Sequence, residues 1–403
     1  YFIVDPIVCP PDTVACERWQ GRPVDKATRM VTLHPGDCGM DLDPEDDTEP
    51  DWVYAERLIY MPHSYFVNDH RQGFREEDEN QAHAPSLAPE QCWAHEEDRR
   101  WKMRREVFPG LRDDVVIFAN FNQLYKIDPS IFRVWLRILA NVPHAILWLL
   151  RFPAAGEQYI LRTAEEQAGK EVASRIVFTD VAAKHIHIHR GRVADLFLDT
   201  PECNGHTTAA DILWSGTPIL TYPRHRHKMC SRVAASIAYA TGYGDEMTVL
   251  SEQEYEARAV EYAQSVSWEY GHAPHPRQGL HRRGKGVLIE LRKKLFLTRD
   301  VSPLFDTPRW TRNLEKGYWE AWRRWTSGED FAADDDGQVR ANIGCIYITD
   351  EDPPLAHISS TKRTMETATT LPQTAPPAAS SQSSALIRPH PSSGALIRSA
   401  ART

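Results

Sequence analysis

Residues 199–211 combine a polar loop with the start of a helix, and their side chains could bind an anion. His206, Thr207 and Thr208 open the helix, and Asp211 lies one turn further on. The first turn of a helix has unpaired N–H groups and the positive end of the helix dipole, and threonine hydroxyls add donors. An ordinary threonine cap also explains the pattern and, from these residues alone, is the simpler interpretation.

Two further clusters follow other predicted strands. Residues 122–126 end in a lysine that could neutralise a phosphate, although a lone lysine is usually a solvated surface charge. The second cluster, residues 184–190, contains His185, His187 and His189. At helical spacing His187 lies across the helix from the other two, so the three cannot share one metal ion, and a two-histidine zinc site lacks an evident third ligand. A base-stacking histidine or a polar helix face fits better.

His63 lies outside these clusters, and a structural histidine after a proline turn is its simpler interpretation. The chain contains no Walker loop, GxSxG elbow, HExxH helix or GxGxxG motif. What remains is a cation, a helix N-terminus and an acidic residue able to bind ribose hydroxyls. That set fits a nucleotide sugar, because its departing diphosphate needs charge stabilisation in the transition state.

Alternating strands and helices position the three clusters. Apolar strands are predicted at 115–121, 145–150, 175–178, 196–198 and 218–221, with helices near 128–139, 156–169, 184–192, 207–215, 231–239 and 252–264. This order predicts an α/β fold with a doubly wound parallel sheet, in which ligands bind beyond the carboxyl ends of strands. All three clusters fall on that edge.

The composition is that of a soluble globular protein. The 403 residues are 41% hydrophobic and 26% charged, which suits two or more domains with a substantial core. A net charge of -9 argues against non-specific nucleic-acid binding. Neither a run of about 18 apolar residues nor a signal-peptide core occurs, so no membrane association is expected. Seven scattered cysteines without a CxxC pair indicate reduced thiols in an intracellular protein.

Several long stretches resemble the catalytic region of the protein O-GlcNAc transferases. They are ANFNQLYKIDP (119–129), LWLLRFPAAGE (147–157), VAAKHIHIHRG (181–191), DLFLDTPECNGHTTAADILWSGTPILT (195–221), SRVAAS (231–236) and SPLFDT (302–307). YMPHSYFVNDH (60–70) resembles a segment at the end of that family's N-terminal catalytic lobe. Motifs this long in the same order are specific. The NQLYK and CNGHTT segments are similar to the GlcNAc branch rather than to the related protein O-fucosyltransferases.

The resemblance implies a GT-B glycosyltransferase fold, two Rossmann-like lobes with the active site between them. It implies inverting transfer of N-acetylglucosamine from UDP-GlcNAc to Ser or Thr hydroxyls of cytoplasmic and nuclear proteins. No metal and no other cofactor is expected. The expected partners are the UDP-sugar donor and acceptor proteins, with neither nucleic acid nor a membrane.

The resemblance also implies a role for each matching residue. Lys126 would be the main stabiliser of the leaving group. The other implied contacts are Gln123 with the phosphates, Lys184 and Asp211 with the ribose, His187 stacked on the uracil, Ala182 and Arg190 against the base, and His206, Thr207 and Thr208 at the diphosphate. His63 would lie in the pocket from the N-terminal lobe side and is expected to be a second catalytic residue.

The chain departs from the family pattern in its domain organisation. Residues 1–70 are predicted to be a remnant of the N-terminal catalytic lobe with an acidic insertion, 71–110 a charged linker, 111–330 the UDP-binding lobe and 331–403 a disordered tail. Most of the N-terminal lobe and the family's tetratricopeptide repeats are absent, and the chain begins at Tyr1, so a fragment is expected.

Three local departures concern the nucleotide site. Ala183 replaces the proline of the family's VAPK motif, His189 replaces an arginine, and residues 224–228 (RHRHK) replace a small glycine-containing loop. The expected function is O-GlcNAc transfer by a longer parent protein. Protein O-fucosyl transfer from GDP-fucose and a non-catalytic UDP-binding or scaffold role stay open as alternatives.

Overall fold

A five-stranded parallel sheet forms the centre of the main hydrophobic core. The computed structural model describes residues 1–13, 56–75, 88–272, 280–329 and 344–352. Its strands are β1 (Phe2–Val4), β2 (Leu58–Tyr60), β3 (Val116–Asn120), β4 (Ala145–Leu150), β5 (Ile176–Thr179), β6 (Leu196–Leu198), β7 (Ile219–Leu220), β8 (Ser267–His272), β9 (Leu280–Lys285) and β10 (Ile346–Tyr347).

Helices connect the strands and cover both faces of the sheet. They are α1 (His70–Gly73), α2 (Pro89–Val107), α3 (Pro129–Asn141), α4 (Glu157–Ala173), α5 (Lys184–Arg190), α6 (Thr207–Trp214), α7 (Val233–Ala240), α8 (Gly244–Met247), α9 (Glu252–Ser265), α10 (Val287–Thr298) and α11 (Thr307–Thr326). Within the described ranges, no helix has both the length and the apolar content needed to cross a membrane.

The central sheet has the strand order β5-β4-β3-β6-β7, and all neighbouring strands are parallel. Phe118 of β3 pairs with Leu147 of β4 on one side and with Leu196 of β6 on the other. Strands β3, β4, β6 and β7 are buried throughout, as expected for a parallel sheet covered on both faces. The strand order reverses between β3 and β6. The predicted α/β class with a Rossmann-like C-terminal lobe is thereby confirmed.

Local sequence explains where two of the covering helices begin and end. Asp128 caps α3, because its Oδ1 accepts hydrogen bonds from the N–H groups of Ser130 (2.9 Å) and Ile131 (3.2 Å), and Pro129 occupies the first helical position. Helix α6 is followed by Gly216, whose φ of 76° suits glycine. A Cβ at Gly216 would also lie 2.9 Å from the Cβ of Phe296.

Helix α2 corrects the prediction of a charged linker over 71–110. Four of its charged residues, Glu96, Glu97, Arg100 and Arg104, are buried. Arg100 pairs with Asp195 at the start of β6, and Glu96 Oε1 lies 3.1 Å from Arg192 Nε. The side chains of Asp195 and Arg192 are buried as well. An apolar stripe marks most buried helices in a sequence, but this helix is buried by ion pairs with distant residues.

A second parallel sheet has the order β1-β2-β10. Ile59 of β2 pairs with Ile3 of β1 and with Ile346 of β10. Because β10 falls within 331–403, the disordered-tail prediction is wrong for residues 344–352. A two-residue strand whose partner lies far away in the chain leaves no periodic signal. Residues 353–403, like the acidic insertion at 41–47, lie outside the described residues.

Candidate nucleotide-binding site

The loops after β3 and β6 lie side by side at the carboxyl ends of the strands. Asn122 Nδ2 donates to Thr200 Oγ1 (3.1 Å), and Lys126 Nζ donates to the carbonyl of Asn204 (2.8 Å). These bonds join the two loops at the point where the strand order reverses, which is where open α/β sheets bind ligands. Lys126 is half-buried in a short 3₁₀ turn, and Gln123, also half-buried, precedes that turn.

Asp199 and Asn204 hold the loop after β6 in a fixed shape. Asp199 accepts hydrogen bonds from the N–H of Gly205 (2.7 Å) and from Thr221 Oγ1 (2.8 Å). Asn204 Nδ2 donates to the carbonyl of Thr200 (2.8 Å). Burial raises the pKa of Asp199 to about 6, and the Gly205 and Thr221 hydrogen bonds keep it from rising further. The loop that leads into α6 is therefore preorganised.

The N-terminus of α6 faces this loop. His206 stands at the capping position, and its Nε2 lies 3.3 Å from the carbonyl oxygen of Cys230. Burial lowers the pKa of His206, and the charge of Lys126 lowers it further. A neutral imidazole at pH 7 therefore donates from Nε2 to that carbonyl. Thr207 is exposed and Thr208 half-buried in the first turn, so both hydroxyls can reach a ligand.

Helix α5 presents His187 toward α6. His187 Nε2 lies 3.9 Å from Asp211 Oδ2, and its ring packs edge-on against Phe121 at 5.4 Å between centroids. Burial lowers the pKa of His187, so the ring is neutral at pH 7. Its Nδ1 is buried and has no hydrogen-bond partner among the described residues. An unsatisfied buried polar atom at a ligand-binding edge is a point where a ligand can bind.

The other residues predicted on α5 and in the loop before it contact different parts of the fold. Lys184 is exposed and lies over the ring of Phe74, 4.6 Å from its centroid. Arg190 lies over Trp148 and donates to the carbonyl of Asp180 (3.1 Å). Ala182 is half-buried in the loop before the helix, and His185 is exposed. Within the described ranges, no three His, Cys, Asp or Glu side chains are arranged to hold a metal ion.

His70 is the site residue that sequence reasoning missed. Its Nε2 lies 2.7 Å from Asp211 Oδ1, and its Nδ1 lies 3.1 Å from Asn68 Oδ1. Both His70 and Asp211 are buried. The signal was present in the segment YMPHSYFVNDH, whose second histidine is His70. Nothing in the spacing favoured it over His63.

His63 contacts a different group of residues. Its Nε2 lies 2.5 Å from Asp350 Oδ2, and the same carboxylate pairs with Arg309 (2.6 Å). Burial alone would raise the pKa of Asp350, but hydrogen bonds from Arg309 and His63 outweigh it and lower the pKa to about 2. His63 thus joins the N-terminal segment to α11 and to residues after β10. Its predicted role in the pocket stays a prediction.

Comparison with known proteins decides the family. The model of glycosyl transferase family 41 matches residues 94–314, more than half of the chain. The chain belongs to glycosyl transferase family 41. That match includes every predicted site residue from Gln123 to Asp211, whereas His63 and His70 lie before it.

The similar proteins are considerably longer than this chain. It is 43% identical over 277 residues to the Arabidopsis thaliana protein named "Probable UDP-N-acetylglucosamine--peptide N-acetylglucosaminyltransferase SEC". That alignment covers 69% of this chain and 24% of the relative. It is 44% identical over 218 residues to the Caenorhabditis elegans UDP-N-acetylglucosamine--peptide N-acetylglucosaminyltransferase, covering 54% of this chain and 17% of the relative. The chain therefore spans about a quarter or less of these family 41 relatives.

A solved structure of a Thermobaculum terrenum O-GlcNAc transferase mutant is also similar. Its TM-score is 0.48 at 21% sequence identity, and the alignment covers 70% of this chain and 44% of that one.

Proposed function

We propose that the chain is the nucleotide-binding lobe of a UDP-GlcNAc:protein O-GlcNAc transferase. The observation that carries the proposal is the junction of the β3 and β6 loops, where Lys126 bonds to Asn204 beside the N-terminus of α6. A lysine and a helix N-terminus on one side of a preorganised loop suit a diphosphate. Membership of family 41 and the names of its relatives support UDP-GlcNAc as the donor.

In this proposal the nucleotide lies along the edge from Lys126 to α5. The diphosphate binds Gln123, Lys126 and the first turn of α6. The ribose hydroxyls bind Lys184 and the buried carboxylate of Asp211. The uracil stacks on the ring of His187, near Ala182 and Arg190.

The chemistry follows from where charge develops. A Ser or Thr hydroxyl of the acceptor protein attacks the anomeric carbon, and the bond to UDP breaks with inversion. The leaving diphosphate gains negative charge, which Lys126 and the donors of residues 206–208 stabilise. No metal takes part in this mechanism, and the described residues identify no general base. The parent protein would act in the cytoplasm and nucleus and select acceptors with tetratricopeptide repeats.

The experiment is a transfer assay on the full-length gene product, with UDP-GlcNAc and GDP-fucose as competing donors and a Ser/Thr peptide as acceptor. Calorimetry of UDP with the 403-residue chain accompanies it. We expect GlcNAc transfer and UDP binding. UDP binding without transfer from either donor would show a binding protein instead, and fucose transfer would overturn the donor assignment.

A further inference from the structure

Asn68 fixes the protonation of one nitrogen of His70. Asn68 Nδ2 donates to the carbonyl of Leu304 (2.7 Å), so its Oδ1 faces His70 and accepts from both the backbone N–H (3.3 Å) and Nδ1 (3.1 Å). Rotating the amide by 180° would place two acceptors together at Leu304 and two donors together at His70. The network therefore assigns a proton to His70 Nδ1.

The other ring nitrogen needs a proton as well. His70 Nε2 lies 2.7 Å from Asp211 Oδ1. If Nδ1 carried the only proton, two lone pairs would face each other at that distance. A proton must therefore lie between Nε2 and Oδ1, and imidazole is intrinsically the stronger base of the two groups. The result is a buried imidazolium–carboxylate pair.

Aromatic rings enclose the His70 side of this pair, and the His70 side chain is only 1% exposed. The rings of Phe74, Trp214 and Phe305 surround His70 at 5.6, 6.2 and 5.7 Å between centroids. From α5, His187 faces the second carboxylate oxygen of Asp211 but is neutral at pH 7, since burial lowers its pKa. Lys184 and Asp69 form a separate exposed pair, 3.9 Å apart. The pair is therefore neutral as a unit.

We propose that His70 is a positioning residue, held as an imidazolium, that neutralises Asp211 and fixes its second oxygen, Oδ2, to accept ribose hydroxyls. The inference rests on the proposed binding of a uridine nucleotide. An unpaired carboxylate would repel the nearby diphosphate, whereas the neutral pair retains acceptor oxygens without that repulsion. The ribose site of the family 41 lobe is thus completed by a segment outside the region that the family model matches.

The first test does not need a nucleotide. In the ¹⁵N NMR spectrum of the full 403-residue chain, His70 should show both ring nitrogens protonated at pH 7.5, and His70→Gln identifies its signals by their loss. Should His70→Gln not fold, Asn68→Ala identifies the His70 signals by their shift, because it keeps the ring but removes the acceptor of Nδ1. A singly protonated His70 ring would overturn the proposal.

The second test measures the affinity of the chain for UDP and for its 2′,3′-dideoxy analogue by calorimetry. The wild type should prefer UDP. In His70→Gln and Asn68→Ala, UDP affinity should fall by about tenfold or more, as for loss of a charged hydrogen bond, while dideoxy-UDP affinity falls by less, because that analogue loses only the relief of diphosphate repulsion. His95→Gln, the same change at an exposed position of α2, should change neither.

The outcomes separate the two proposals. If the wild type binds no UDP, the proposed function fails and the ribose role fails with it, while the NMR result still decides the ion pair. If the wild type binds UDP and the variants lose both nucleotides equally, His70 is merely structural and this inference alone is overturned.

Discussion

The two ends of β6 carry an aspartate each, and the structure uses them in opposite ways. Asp195, before the strand, pairs with Arg100 and lies 3.8 Å from Arg104, and its Oδ2 accepts from the N–H of Ile117 (2.8 Å). Asp199, after the strand, has no arginine partner in the described chain and accepts from the loop residue Gly205 and from Thr221. Both carboxylates are buried.

The difference separates stability from binding. At the amino end of the strand, buried carboxylates pair with arginines, and these pairs tie α2 to the sheet. At the carboxyl end, Asp199 shapes a loop whose neighbours, Lys126 and Thr207, stay accessible. A buried ion pair is needed for stability because losing one partner leaves the other charge buried and unpaired. Accessible hydrogen-bond donors, in contrast, are free to bind a ligand.

Removing the carboxylate at the amino end should have the largest effect. Asp195→Ala leaves Arg100 and Arg104 buried without their partner, so the free energy of unfolding should fall by about 3–5 kcal/mol. Urea unfolding measures it. Asp114→Ala, which breaks the exposed pair with Arg112, should cost less than about 1 kcal/mol. Equal losses for the two variants would show that the Asp195 network does not stabilise the fold.

At the carboxyl end, the largest effect should be on transfer. Lys126→Ala in the full-length parent should lower the rate of GlcNAc transfer by about 10²–10³-fold, the usual effect of removing a group that stabilises transition-state charge. Its stability should change by only about 1 kcal/mol, since one hydrogen bond to Asn204 is lost. Lys170→Ala, on the exposed face of α4, is the matched control. Near-normal transfer by Lys126→Ala would remove Lys126 from the leaving-group role.

The smallest effect concerns Asp199 and pH. Its pKa is raised to about 6 in the folded protein, against roughly 3.9 in the unfolded chain. Between these values the folded protein binds more protons, so the contribution of Asp199 to stability is present at pH 4 and lost as the pH rises through 6. Relative to Asp199→Asn, the wild type should lose about 2–3 kcal/mol of unfolding free energy from pH 4 to pH 7.

Urea unfolding at several pH values checks this expectation. Asp180→Asn, at a position whose side chain is 86% exposed, serves as the control, and its difference from the wild type should stay flat. A flat difference for Asp199→Asn as well would mean that Asp199 ionises in the folded protein as easily as in the unfolded chain.

Sequence patterns determined the central sheet and most of its helices. Strands such as Ala145–Leu150 are continuous apolar runs, and α3 has a cap, a proline and a helical apolar repeat within fourteen residues, Asp128 to Asn141. These signals are local, so they can be read from one chain. The site residues on the β3 and β6 loops followed from the strand order and the resemblance, because loops at the carboxyl ends of parallel strands meet.

Tertiary structure alone decided the contacts that join distant segments. Helix α2 has no apolar stripe, and its burial depends on residues 192 and 195, about a hundred positions away. Strand β10 is defined by its parallel pairing with β2, which lies far away in the sequence. His70 meets Asp211 across 141 residues of sequence. The type of a charged residue or a histidine does not reveal whether its side chain is exposed to solvent or paired in the interior. Its partner is determined only by the folded structure.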